Sequence, residues 1–333
     1  MWIMDRKELL NINFDKILED MPFVGDFFES QGLDIPEVSV QEFVDNLSES
    51  KMEDLGIEPE EFIDNFVTFV EAVGNLSEKT TTISEMSITG GQNKFGEAEN
   101  FELTVKAGEV ICIVGPTGSG KSRLLADIEW MAMADTPTKR YIKINGKDPE
   151  KSWRFSPEHK PVAQLSQNMN FVMDLSAREF VKIHAESRFV KNPDEKVDLI
   201  IEKANELAGE QFSADTPVTS LSGGQSRALM IADTAFLSKS PIVLIDEIEN
   251  AGIDRKKALE LLVGEEKIVL MSTHDPILAL MGDKRLVIKN GGVAKIIETS
   301  ESERANLQEL QELDKKLLEL RNRVRLGDTL ETI

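Results

Sequence analysis

Apolar residues recur at helical spacing near the beginning of the chain. Phe14, Ile17, Leu18 and Met21 share one helix face, as do Phe62, Ile63, Phe66, Val67 and Val70, so residues 1–76 are expected to form a small all-α domain of short amphipathic helices. Its breaks fall at Met21-Pro22, Asp34-Ile35-Pro36 and Glu58-Pro59, because proline disfavours helix in the residue before it and suits the first turn of the next helix. The polar run Ser77-Glu78-Lys79-Thr80-Thr81-Thr82 reads as a linker, residues 77–82. After it, Ile83-Ser84-Glu85-Met86-Ser87-Ile88 alternates as a strand does. Three apolar runs follow at wide intervals: Val110-Ile111-Cys112-Ile113-Val114, Ile242-Val243-Leu244-Ile245 and Ile268-Val269-Leu270-Met271. The order of strand, glycine-rich loop, helix and strand over residues 83–298 predicts an α/β core with its ligand at the ends of parallel strands. In residues 299–333, Leu310, Leu313, Leu317, Leu320 and Val324 form a leucine seam with Gly327 as its stop. The seam spans about two heptads, short of the three or four that argue for a coiled coil, which favours packing back on the same chain over a dimer zipper.

Composition narrows the class. The chain has 333 residues, is 41% hydrophobic and carries three Trp and sixteen Phe, enough for a core. Its formal net charge of −22 argues against nucleic acid as a partner, because neutralising phosphates takes clustered Lys and Arg. Residues 1–80 hold 20 acidic and 5 basic side chains, so about −15 of that charge sits in the first quarter of the chain. Cys112 is the single cysteine, which rules out a disulfide or cysteine metal site within one chain and implies an intracellular protein. The start, Met1-Trp2-Ile3-Met4-Asp5-Arg6, has no basic segment followed by a long apolar run, and no stretch of eighteen consecutive apolar residues occurs. A cytoplasmic location is expected, with a peripheral position at a membrane left open.

The chemistry gathers around two glycine-rich loops. Gly115-Pro116-Thr117-Gly118-Ser119-Gly120-Lys121-Ser122 fits G-x-x-x-x-G-K-[ST], follows an apolar strand and precedes a helix from Arg123, the context a phosphate-binding loop requires. Its backbone N–H groups and helix N-terminus suit phosphate, and Lys121 adds charge. The second loop is Leu221-Ser222-Gly223-Gly224-Gln225, which reads as the start of a helix. Between the loops and beyond them, one apolar strand ends in Asp246-Glu247 and another in Ser272-Thr273-His274.

Taken in this order, the motifs resemble the ATP-binding cassette (ABC) ATPases over about 215 residues. The resemblance implies an ABC-type P-loop NTPase core with a helical subdomain, binding ATP and Mg2+. It implies that Gly115 to Arg123 hold the nucleotide, that Ser122 and Asp246 ligate magnesium, and that Glu247 serves the attacking water. His274 matches the histidine that contacts the terminal phosphate. Gln167, in Leu165-Ser166-Gln167-Asn168, resembles the Q-loop glutamine that reaches magnesium and water, and is preferred to the nearby Gln164. Ser222, Gly223, Gly224 and Gln225 match the signature loop that contacts ATP held by a second subunit, so a homodimer on ATP binding is implied. Asp254 belongs to the D-loop, here Asp246-Glu247-Ile248-Glu249-Asn250-Ala251-Gly252-Ile253-Asp254, one residue longer than in most transporter cassettes. Phe95 is the candidate for stacking on adenine, with a core role as the alternative. The N-terminal stretch from Phe27-Phe28-Glu29-Ser30 to Glu61-Phe62 loosely resembles the small helical domain of iron-sulfur-repair proteins but lacks their cysteine pair.

The atypical D-loop and the added acidic domain favour a soluble ATPase that remodels or activates a protein partner, engaged through the N-terminal domain or the Q-loop face. The alternative is the ATP-binding subunit of a transporter with separate membrane subunits. Nucleic-acid maintenance is the third reading.

Overall fold

The computed structural model describes the whole chain except residues 1–4, 22, 48–55, 79–81, 156–159, 167–170, 189, 191, 248–252 and 330–333. By contacts the chain divides into two units, Met1–Thr80 with Glu179–Asp198, and Thr81–Arg178 with Leu199–Ile333.

In the first unit the periodic apolar residues form helices Arg6–Asn11, Phe14–Asp20, Val24–Ser30, Val40–Asp45 and Pro59–Glu78. Side chains cap two of them: Asn13 accepts from the Asp15 N–H at 2.9 Å and Ser39 from the Glu42 N–H at 3.3 Å. Pro59 opens its helix, where its missing N–H leaves nothing unsatisfied. That helix runs on through Glu78, two residues into the polar run expected as linker. Phe14, Phe28, Phe62 and Phe66 are fully buried. Phe27 meets both Phe62 and Phe66 edge to face at 5.4 Å between centroids. Such pairs add to the burial of their area, so the core of these helices is an aromatic one. The Met21-Pro22 break leaves Pro22 outside the described residues; the helix before it ends at Asp20. Residues 179–198, placed by sequence within the α/β core, group with this unit instead; a helical insertion carries no mark in its own periodicity of which neighbours it packs against.

The second unit is the α/β core. Strands β1 (Glu85–Thr89), β2 (Glu102–Lys106) and β4 (Tyr141–Ile144) pair antiparallel in the order β2-β1-β4. The six-stranded sheet comprises β3 (Val110–Val114), β5 (Val162–Leu165), β6 (Ile242–Asp246), β7 (Ile268–Ser272), β8 (Lys284–Lys289) and β9 (Gly292–Glu298), ordered β5-β6-β7-β3-β8-β9. It is parallel from β5 to β8, and β9 returns antiparallel across a register shift at Val287/Ile288. Its central strands β3, β6 and β7 are apolar on both faces because both faces are covered. Ile111, Ile113, Ile242, Leu244, Ile268 and Leu270 share a core with Leu124, Leu125 and Ile128 of helix Lys121–Glu129. The alternate residues Cys112, Val243, Ile245, Val269 and Met271 share another with Ala228 and Ile231 of helix Gly223–Phe236, and with Leu259 and Leu262 of helix Arg255–Gly264. The carboxyl ends of β3, β6 and β7 therefore open on one edge, beside the start of helix Lys121–Glu129.

The leucine seam lies on helix Glu301–Arg325, which packs against helix Pro276–Met281. Arg255 holds it through Asp314 at 2.6 Å, and Gly327, at φ +92°, ends it as expected. Leu313, Leu317 and Val324 stay about half exposed, so the expected packing back on the chain covers the seam only in part.

Candidate functional site

The phosphate loop follows β3 directly. Gly115 has φ +154° and Gly120 φ +109°, and a Cβ on them would stand 2.5 Å from the Ile288 carbonyl oxygen and 2.8 Å from the Gly291 Cα. Both glycines are therefore required by close backbone approach, as well as by the turn. Lys121 is buried, and its ammonium donates to the carbonyls of Gly115 at 2.9 Å and Pro116 at 3.4 Å. One residue on, the Ser122 hydroxyl donates to Asp246 Oδ2 at 3.3 Å. This joins the loop to the end of β6.

Glu247 follows in the left-handed region, φ +51°, with its N–H on the Ser272 carbonyl at 3.0 Å. That backbone costs a non-glycine residue on the order of 1 kcal/mol and is held by the β6–β7 ladder on one side and Arg227 on the other, whose Nη1 reaches the Glu247 carbonyl at 3.5 Å. It turns the Glu247 side chain to His274, where Oε1 lies 3.2 Å from Nε2. The same Nε2 is 3.0 Å from the Lys121 ammonium. Lys121, Ser122, Asp246, Glu247 and His274, drawn from three separate parts of the sequence, thus converge on one cluster.

The signature loop is a helix start. Ser222 accepts from the Gln225 N–H at 3.3 Å while Gln225 Oε1 accepts from the Ser222 N–H at 2.8 Å, a reciprocal capping box. Gln225 Nε2 also donates to the Glu210 carbonyl at 3.3 Å. No hydrogen bond among the described residues runs from Ser222–Gln225 to the phosphate loop, and a Cβ on Gly223 would meet nothing within 4 Å. Ser222 and Gly223 are exposed. Asp254 is likewise turned to its own helix: its carboxylate caps Arg255–Gly264 through the Lys257 N–H at 3.1 Å. Gln167 lies outside the described residues, and Gln164 sits on β5 with an exposed side chain.

Phe95 is 66% exposed, which removes the alternative of a core role. Its position is set by Asn93, whose side chain accepts from the Phe95 N–H at 2.9 Å, and by Lys94, whose N–H donates to the Asn290 carbonyl at 3.0 Å. The neighbouring Gly291 N–H donates to the Ser119 carbonyl at 2.7 Å, so the Phe95 turn hangs beside the phosphate loop.

Two buried side-chain polar atoms among the described residues have no hydrogen-bond partner, Ser119 Oγ and Ser272 Oγ. An unpaired buried hydroxyl in native structures calls for a ligand or water. Ser119 lies in the phosphate loop and Ser272 is the register partner of Asp246, so both belong to this site. Ser272 was not singled out by sequence, since a serine before Thr273 carries no signal of its own. The donor set fits phosphate and a hard divalent cation: exposed-loop N–H groups, an ammonium, and one hydroxyl beside one carboxylate, the remaining cation ligands coming from phosphate and water in sites of this kind.

Residues 98–250 match the family model described as ABC transporter. An uncharacterised ABC transporter ATP-binding protein of Methanocaldococcus jannaschii is 53% identical over 249 residues, 74% of this chain and 95% of that protein. A thiamine import ATP-binding protein of Photobacterium profundum is 31% identical over 202 residues, 58% of this chain and 80% of that protein. Among solved structures, one chain of an ABC transporter complex of Clostridium perfringens superposes with a TM-score of 0.52 at 20% identity, covering 74% of this chain and all of that one, a likeness of fold.

Proposed function

This chain belongs to the ABC family of ATP-binding proteins and is an ATPase, and from that premise we propose that it is the ATP-binding subunit of a transporter whose membrane-spanning subunits are separate chains. The observation that favours transport over remodelling of a soluble partner is the similarity to a protein named for import. The described residues contain no helix long and apolar enough to cross a membrane, which is compatible with membrane subunits on other chains. The substrate carried is a property of those other chains.

Within the site, Lys121 holds the outer phosphates of ATP against the loop N–H groups. Ser122 and Asp246 are the residues that would hold magnesium, which when bound neutralises charge on the phosphates. Glu247 orients the attacking water and draws its proton, and His274 donates to the terminal phosphate. Gln167 joins them from the Q-loop. Ser222 and Gly223, exposed and making no hydrogen bond to their own phosphate loop, contact with Gly224 the terminal phosphate held by a second copy, so that two sites close in a head-to-tail homodimer. Phe95 stacks on the adenine ring.

The acidic helical unit motivates the second reading, in which the ATPase remodels or activates a protein partner bound through that unit or the Q-loop face. Affinity purification of the full chain from detergent-solubilised native membranes separates the two. Stable recovery with an integral membrane protein is the expected outcome; recovery with soluble chains alone from both membrane and soluble fractions would replace transport with remodelling.

A further inference from the structure

Arg140 heads the fully buried side chains in size. Its guanidinium donates through Nε to Glu99 Oε2 and through Nη2 to Glu99 Oε1, both at 2.9 Å, and through Nη1 to Asp127 Oδ2 at 2.9 Å. Nη2 also reaches the Gly291 carbonyl at 2.8 Å. Both carboxylates are buried too, and their other partners are fixed: Glu99 accepts from the N–H groups of Val293 at 2.6 Å and Gly91 at 3.3 Å, Asp127 from the Thr138 hydroxyl at 2.8 Å. A buried cation and two buried anions tolerate little displacement, because each lost hydrogen bond exposes a desolvated charge.

The partners come from three places that matter for the nucleotide. Glu99 closes the turn that carries Phe95, and Asp127 lies on the helix that starts at Lys121. Gly291 donates its N–H to the Ser119 carbonyl at 2.7 Å, and its Cα stands 2.8 Å from the place of a Cβ on Gly120. Asn290, beside it, accepts from the Lys94 N–H at 3.0 Å. One guanidinium therefore sets where the Phe95 turn stands relative to residues 119–121.

We propose that Arg140 is a positioning residue that fixes the distance between the base side of the ATP site, at Phe95, and its phosphate side. The inference rests on reading this site as the ATP site with Phe95 facing the base. Lysine cannot reproduce the fork to Glu99, and glutamine at 99 sets an N–H where both oxygens now only accept, so Arg140→Lys and Glu99→Gln loosen the clamp without removing the buried cation.

The test measures dissociation constants of full-length variants for ATP and for inorganic tripolyphosphate, which offers phosphates without a base. Both variants are expected to bind ATP about tenfold more weakly, the lower part of what stacking a base on an aromatic ring contributes, while tripolyphosphate changes by less than about twofold. Phe95→Ala should shift ATP alone in the same way, and Phe95→Ala with Arg140→Lys no further than either single change. If the ratio of the two affinities is unchanged in Arg140→Lys and Glu99→Gln, Arg140 only staples the fold and the proposal is overturned with the ATP site intact. Should Arg140→Lys not unfold cooperatively, Glu99→Gln alone decides. A wild-type chain that binds ATP no more tightly than tripolyphosphate would instead overturn the base-side reading, and this proposal with it.

Discussion

His274 Nε2 lies 3.2 Å from Glu247 Oε1. The same nitrogen is 3.0 Å from the Lys121 ammonium, and a neutral ring nitrogen either donates to the carboxylate or accepts from the ammonium. The tautomer of His274 thus decides whether the acid at the end of β6 or the lysine of the phosphate loop has the histidine as its partner. Three side chains from different parts of the sequence meet at a single proton position.

Glu247→Gln is expected to bind ATP with little change and to hydrolyse it more slowly by a factor on the order of 10² or more, since the carboxamide keeps the shape and loses the basicity. Size-exclusion chromatography of this variant with ATP and magnesium should show a stable dimer. A strictly monomeric variant at saturating ATP contradicts the two-chain site.

Lys121→Ala should abolish ATP binding or turnover, because the ammonium that balances phosphate charge during transfer is removed from a buried position. Steady-state phosphate release measures this. Near wild-type turnover in a folded variant would remove Lys121 from the site.

The legible part of this chain was what a line of residues can encode. Gly115 to Ser122 announced the loop because Gly115 and Gly120 are forced by backbone approach, and the apolar strands before Asp246 and His274 announced where those residues would emerge. Their meeting needed the strand order, with β7 between β6 and β3, which no short motif carries. Asp254 shows the opposite case: a residue placed by motif at the nucleotide has, within one chain, its carboxylate engaged as a helix cap. Phe95 is ambiguous in sequence because aromatic residues serve cores and ligands alike, and its exposure argues against the core. Arg140 stayed hidden since burial of a cation depends on Glu99 and Asp127, 41 and 13 positions away.

Cys112 should be inert in the folded chain. Burial pushes its thiol up to about 12, and Sγ donates to the Leu278 carbonyl at 3.2 Å. The thiol form is therefore favoured by folding: its contribution to stability is complete below the unfolded value near 9 and is lost as pH rises through about 12. A chromogenic disulfide reagent at pH 8 should react slowly with the native protein and fast in denaturant. Equal rates would show that the second core is open to solvent.

On the second reading, in which the acidic unit engages a protein partner, deleting residues 1–80 should leave ATPase activity and ATP-dependent dimerisation in place while abolishing capture of that partner. The aromatic core of the first unit is assembled from residues between Leu9 and Val70, so its removal leaves both sheet cores with all their members. The same stretch carries 20 acidic against 5 basic residues, so its recognition surface calls for basic groups on the partner. Binding by the full chain should then weaken as salt rises, because the screening length falls from about 30 Å at 0.01 M to about 3 Å at 1 M. Sedimentation with the recovered partner at low and high salt, with and without residues 1–80, reads both effects. A truncated chain that binds with unchanged affinity and unchanged salt dependence would show that the acidic unit acts on its own ATPase instead, and its deletion should then alter turnover.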